Sequence, residues 1–173
     1  YELLVEWNEK INLTAITKKE DVYLKHFYDS ACIVKAVDLN KISTLCDVGS
    51  GAGFPGIVIK ILFPNVKVVL VDALNKRINF LKLVIKELDL KLIEVYHERA
   101  EIYALNNREK FEVVTARAVA PLNILSELCF PLVSLNGYFV PLKGNISNEI
   151  INLDNIIKKL GGSKIIKYEF TLP

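Results

Sequence analysis

Methionine is absent from all 173 residues, so no start residue is encoded in this numbering, and we expect further residues before Tyr1 and past Pro173. Histidine is nearly absent too. His26 and His97 are the only two, far apart in sequence, and that argues against a zinc site. Cysteine is scarce: Cys32, Cys46 and Cys129 are widely spaced without a C-x-x-C pair, and the last two sit in apolar runs. They read as free thiols in a reducing compartment, not as ligands or disulfides. No apolar run approaches a membrane span, and no signal-peptide pattern opens the chain. These absences predict a cytoplasmic protein with no metal and no membrane anchor. Charge is also without excess: a net +2 permits an anionic partner but does not demand one. No repeat or low-complexity tract breaks the chain, and its length suits one domain over 1–173, with a helical segment over 1–40 and a core over 41–173.

What is abundant is glycine in one place. Asp47-Val48-Gly49-Ser50-Gly51-Ala52-Gly53-Phe54-Pro55-Gly56 follows one apolar run and precedes another, which reads as a strand, a turn and a helix start. Glycine at every second position leaves no Cβ at the turn, so a ligand can lie against main chain. The free N–H groups of the next helix point into the same space. Pro55 suits the first helical turn. Two cofactors fit the pattern. Gly51 to Gly56 matches the dinucleotide fingerprint G-x-G-x-x-G. Asp47 to Gly53 matches the D/E-x-G-x-G-x-G loop of S-adenosylmethionine (AdoMet) methyltransferases. Asp47 favours AdoMet, because a carboxylate suits the ammonium of a methionine moiety and repels a pyrophosphate.

The rest of the chain alternates. Leu3, Leu4, Trp7 and Ile11 form a helical stripe. Thr17 with Glu20 reads as a capping box for a second helix, with Tyr23, Phe27, Ala31 and Val34 on its inner face. Strands are expected at 43–48, 66–71, 92–96, 111–116, 137–142 and 165–170. Helices are expected between them, one capped by Asn75 and one over 146–160 ended by Gly161-Gly162. Such alternation implies a parallel, doubly wound α/β sheet with ligands at the carboxyl ends of its strands.

Several residues at those ends can carry chemistry. Asp72 ends the second strand, where an acid accepts hydrogen bonds from ribose hydroxyls; an acid favoured by a helix start is the plainer alternative. Arg99-Ala100-Glu101 follows the third strand and can read an adenine edge, or be an exposed charged turn. Arg117, flanked by small residues after the fourth strand, can hold a carboxylate or phosphate, or form a structural ion pair. Lys143 ends the fifth strand, facing an RNA phosphate or plain solvent. His26 and Asp29 share a helix face, more in the manner of packing than of catalysis. Lys76-Arg77 opens a helix where cations are disfavoured, which hints at a nearby anion.

Two motifs are missing. There is no [D/N/S]-P-P-[F/Y/W] after the fourth strand, the loop of amino-group methyltransferases, and no Pro-Cys nucleophile of the C5-cytosine kind. An acceptor that is already nucleophilic remains, such as N7 of guanine, and alignment with water exclusion would then suffice. No acid–base pair stands out, and no catalytic residue is assigned.

Trp7-Asn8, Asn12 to Ile16, His26 to Ser30, Asp47 to Gly56, Lys76-Arg77, Phe80-Leu81, Arg99 to Glu101, Ala116 to Ala120 and Lys143-Gly144 together resemble the glucose-inhibited division protein B family, the bacterial 16S rRNA guanine-N7 methyltransferases. The resemblance spans nearly the whole chain. It implies a Rossmann-like class I AdoMet-dependent fold of seven strands, the last lying beyond Pro173. It implies N7 methylation of a guanine in 16S rRNA, in the cytoplasm; the partner we expect is 16S rRNA or the small ribosomal subunit, and the protein is expected to be a monomer. By position it implies cofactor contacts at Gly49, Phe54, Ala100, Glu101 and Arg117, to which the residues themselves add Gly51 and Asp72. Asn136-Gly137 stands where the family usually has Pro-Gly. The rival expectations are a small-molecule methyltransferase on the same fold and a nucleotide-binding module without catalysis, such as an NAD sensor.

Overall fold

A computed structural model describes residues 1–150 and 153–173. Its sheet is built from β1 (Thr44–Val48), β2 (Lys67–Asp72), β3 (Ile93–His97), β4 (Phe111–Arg117) and β5 (Val133–Leu142). All neighbours are parallel, in the order β3-β2-β1-β4-β5. The order reverses between β1 and β4, where Val48 lies opposite Ala116. That crevice is where an open α/β sheet binds its ligand.

Alternation along the strands sorts the core into two layers. Leu45, Val68, Leu70 and Val113 pack under α1 (Glu2–Ile11), α4 (Gly56–Leu62) and α5 (Asn75–Glu87). Cys46, Val69, Val71 and Val114 pack under α6 (Ala100–Asn106) and α7 (Leu122–Cys129). Most of these side chains are fully buried, each contributing about 1.5–3 kcal/mol. Leu4, Val22 and Ile33, from the helices that precede the sheet, belong to the first layer. The three cysteines are free and buried.

The second helical region departs from expectation. It runs through α2 (Lys19–Val22), a π-helical turn (Tyr23–Tyr28) and α3 (Asp29–Ala31). Its inner face is Val22, His26, Ser30 and Ile33; Tyr23 and Val34 are about half exposed. The wider π turn resets which residues face inward, so a stripe counted at 3.6 residues per turn is misplaced. Lys18 is the N-cap, without a side-chain bond, so the expected Thr17–Glu20 box does not form. α5 likewise starts from Leu74, not from a capping Asn75. Pro55 is the N-cap of α4, one position before the first turn.

Near the end of the chain, 163–173 forms no strand, so the expected sixth strand is absent and β5 is a sheet edge. Ile166 and Tyr168 are exposed there, with no neighbour to complete a ladder. β5 starts four residues earlier than expected. Its register on β4 shifts between Phe111 and Val113, where Asn136 takes a φ of 63°. A Cβ on Gly137 would lie 2.8 Å from the Glu112 carbonyl, so glycine is needed at that bulge. The expected 146–160 helix is shorter: 146–150 is not helical, α8 spans Leu153–Lys159, and residues 151 and 152 fall outside the described residues. Gly161, at a φ of 91°, closes it as expected.

Candidate cofactor and active site

The turn after β1 is held from beneath by β2. Gly49 and Ser50 amides donate to the Val71 carbonyl at 2.8 and 3.2 Å. The Gly51 amide donates to Asp72 Oδ2 at 2.8 Å, and Asp72 Oδ1 accepts from the Leu74 amide at 2.9 Å. Gly49, Gly51 and Gly53 all have positive φ, which is why an L side chain is excluded there. A Cβ on Gly51 would meet nothing closer than the Gly49 carbonyl at 3.8 Å, so open space faces the main chain at that point. Gly56 is different. A Cβ there would lie 2.3 Å from Leu70 Cδ2, so glycine lets α4 close on the sheet. Its amide reaches Asp47 Oδ2 at 2.9 Å.

Asp47 is fully buried, and its Oδ1 has no hydrogen-bond partner among the described residues. Burial raises its carboxyl to about 7, although the Gly56 amide and the Arg117 guanidinium pull the other way. The sequence places Asp47 beside the cofactor's ammonium; the structure seats it under the turn. An unpartnered buried carboxylate oxygen near open, Cβ-free main chain still fits a cationic amino-acid ligand.

Arg117 ends β4 across the crevice. Its Nη1 donates to Asp29 Oδ2 at 3.0 Å and to the Lys25 carbonyl at 3.1 Å, and its Nη2 lies 3.2 Å from His26 Nδ1. Its Cζ sits 5.3 Å from the centre of the Phe54 ring. The ion-pair alternative is therefore realised, with Asp29 as partner, and two N–H groups of the guanidinium remain uncommitted. Ala118 follows at a φ of 55°, and Val119 then packs on Gly49, whose Cβ position is 2.5 Å from Val119 Cγ2.

Gly49, Gly51, Phe54, Asp72 and Arg117 are thus brought together. Ala100 and Glu101 open α6 after β3; Ala100 packs on the layer of Val69 and Val71, and the Glu101 carboxylate accepts from Arg99 Nε at 2.8 Å. The anion hinted at by Lys76-Arg77 is Asp72, 3.4 Å from Arg77 Nη1. Lys143 is half-buried and already engaged. It donates to the Ala120 carbonyl at 3.0 Å and pairs with Glu149 at 2.8 Å. The sequence pairs His26 with Asp29 on one helix face and singles out Arg117, but it does not show that the three join. Thr14, which bonds His26, and Val119, which covers Gly49, also escape it. The Asn12 to Ile16 stretch was the available signal for Thr14.

Two surface cavities, of about 230 and 360 Å3, open at the opposite ends of the strands, against Leu39 and Phe63 and against Pro64 and Leu90. Neither touches the turn. Among the described residues, no cluster of His, Cys, Asp and Glu suits a metal, and no helix is long and apolar enough to cross a membrane.

Comparison with known proteins agrees with this geometry. Solved structures share the fold: a SAM-dependent O-methyltransferase from Thermotoga maritima (TM-score 0.64, 13% identity, 90% of this chain and 55% of that one) and a SAM-dependent methyltransferase from Aquifex aeolicus (TM-score 0.59, 20% identity, 87% and 86%). In sequence, the ribosomal RNA small subunit methyltransferases G of Halalkalibacterium halodurans and Bacillus subtilis are 53% and 52% identical over 176 residues, covering all of this chain and 74% of theirs. A family model for rRNA small subunit methyltransferase G matches residues 1–168. The chain belongs to the rRNA small subunit methyltransferase G family.

Proposed function

We propose that this chain is an AdoMet-dependent methyltransferase that methylates N7 of a guanine in 16S rRNA. The observation that carries it is the glycine turn at the switch point, facing Arg117, in a chain of this family. We infer a single domain working as a cytoplasmic monomer on the small ribosomal subunit; the shared core layer of N-terminal helices and sheet supports the single domain.

AdoMet supplies an electrophilic methyl group on a sulfonium. The chain's residues bind and orient. Gly51 offers main chain without Cβ to the cofactor, Gly49 lets Val119 close on the turn, and Asp72 holds the turn in place. Arg117 presents its two uncommitted N–H groups to a carboxylate, and Phe54 forms the apolar floor beneath it. Ala100 and Glu101 are assigned to the adenine end, where a backbone N–H and a carboxylate match a purine edge. A lone pair on N7 needs no base, and both nitrogens of His26 and a carboxylate oxygen of Asp29 are already engaged. Alignment and water exclusion then carry the rate.

The test offers AdoMet with small ribosomal subunits, bare 16S rRNA and small-molecule acceptors, and maps the methylated base. Methylation of one guanine at N7 is expected. Transfer to small acceptors alone would favour the rival methyltransferase, and binding of NAD without AdoMet would overturn the proposal.

A further inference from the structure

His26 joins three parts of the site. Its ring stacks on Phe54 with centres 4.9 Å apart, Nδ1 faces Arg117 Nη2 at 3.2 Å, and Nε2 faces Thr14 Oγ1 at 2.8 Å. A guanidinium has donors only, so Nδ1 must be the nitrogen without a proton. The ring proton then sits on Nε2 and is donated to Thr14 Oγ1, which also accepts from the Ile16 amide at 3.0 Å. Neither ring nitrogen is free for a substrate.

We propose that His26 is a positioning residue: as the neutral Nε2–H tautomer it fixes Arg117 over Phe54, and protonation of Nδ1 releases the guanidinium and weakens cofactor capture. The proposal rests on the reading of the glycine turn and Arg117 as the cofactor site. An imidazolium would set an N–H against a guanidinium N–H, and the 3.2 Å approach of Nδ1 to Nη2 would become repulsive.

The charges around the ring agree. On its own helix, the Lys25 backbone carbonyl and then Asp29 favour the imidazolium, while the Lys25 ammonium is drawn to Asp21 at 2.7 Å. From β4, Arg117 opposes it, and from β1, Asp47 acts through Arg117. Thr14 and Phe54, the neighbours from the remaining segments, do not titrate. Burial and then Arg117 hold His26 below the ordinary histidine range, so it is neutral near pH 7. Acidification through that lowered value breaks the bond to Arg117.

The chain has just two histidines, so nitrogen-15 NMR of labelled histidine resolves both, with His97→Gln assigning the pair. At about pH 7.5 the expected His26 signals are a protonated Nε2 and an unprotonated Nδ1, and Arg117→Lys shifts Nδ1. By calorimetry, S-adenosylhomocysteine binding should weaken as pH falls through the midpoint that the His26 nitrogen-15 signals report, by about tenfold at one unit below that midpoint. His26→Asn keeps an acceptor towards Arg117 but cannot titrate, so its acid loss should be smaller than the wild type's by that factor, leaving only what Asp47 contributes. His26→Leu should bind weakly throughout. An Nδ1–H tautomer or an imidazolium at pH 7.5, or an unaltered acid loss in His26→Asn, overturns the proposal. A chain with the expected tautomer and Arg117 coupling that refuses S-adenosylhomocysteine refutes the cofactor reading instead.

Discussion

Gly51 donates its amide to Asp72 Oδ2 at 2.8 Å, so the carboxylate that ends β2 grips the turn that follows β1. Asp72 is 3% exposed, and its other oxygen takes the Leu74 amide. The acid therefore holds the turn from which a ribose would be met. Asp72→Ala leaves both amides without an acceptor and should cost about 2–3 kcal/mol in urea unfolding, the range for hydrogen bonds to a charged group. It should also weaken S-adenosylhomocysteine binding in calorimetry, with Asp72→Asn intermediate. Unchanged stability and affinity would remove Asp72 from both roles.

Gly51 and Gly56 separate the two demands on the turn. Gly51→Ala puts a methyl at a φ of 59° in open space, which should cost about 1–2 kcal/mol of backbone strain and obstruct a ligand lying on the main chain. Gly56→Ala drives a methyl against Leu70 and Asp47 and should cost about 1–3 kcal/mol by overpacking. Loss of affinity beyond the loss of stability should mark Gly51 and not Gly56. Equal ratios in both would place the ligand elsewhere.

The turn was legible because its demand is local: glycines at alternate positions after an apolar strand leave few conformations to consider. Strands β1, β2 and β4 are legible for a similar reason, as buried parallel strands are apolar nearly throughout, whereas the edge strands β3 and β5 are more exposed and more polar. What escaped depends on distant partners. The spacing of His26 and Asp29 shows a shared face, but their partner Arg117 lies 91 and 88 residues away in sequence. Ile165 to Phe170 has strand composition and no strand beside it, and composition cannot reveal a missing neighbour. The hydrophobic spacing turns Tyr23 and Val34 inward, because a π turn leaves no mark in it.

Asp47 predicts a stability profile. Its folded value of about 7 lies above the ordinary 3.8, because burial outweighs the Gly56 amide and Arg117. The unfolded chain ionises first, so the stability this group contributes is full below 3.8 and lost as pH rises through about 7. His26 runs in the opposite sense, contributing above the ordinary histidine value and losing it as pH falls through its lowered one. Urea midpoints from about pH 5 to pH 8 should decline more steeply in the wild type than in Asp47→Asn, which keeps an acceptor for Gly56 and cannot ionise. Parallel profiles would show that Asp47 is ionised throughout.

Lys143 discriminates a structural tie from an RNA contact. Glu149 Oε2 accepts from Lys143 at 2.8 Å and from the Leu122 amide at 2.6 Å, and Lys143 also donates to the Ala120 carbonyl. These bonds fasten the segment that places Val119 on Gly49. Lys143→Ala and Glu149→Ala should each be destabilising, and the double variant should lose less than their sum, because each single change breaks the same tie. A lysine on a phosphate behaves differently: its removal lowers the slope of log affinity against log salt by about one. Filter binding of Lys143→Ala to 16S rRNA across a salt series should give the wild-type slope. A slope reduced by a full unit would mean that Lys143 leaves Glu149 and reaches the RNA.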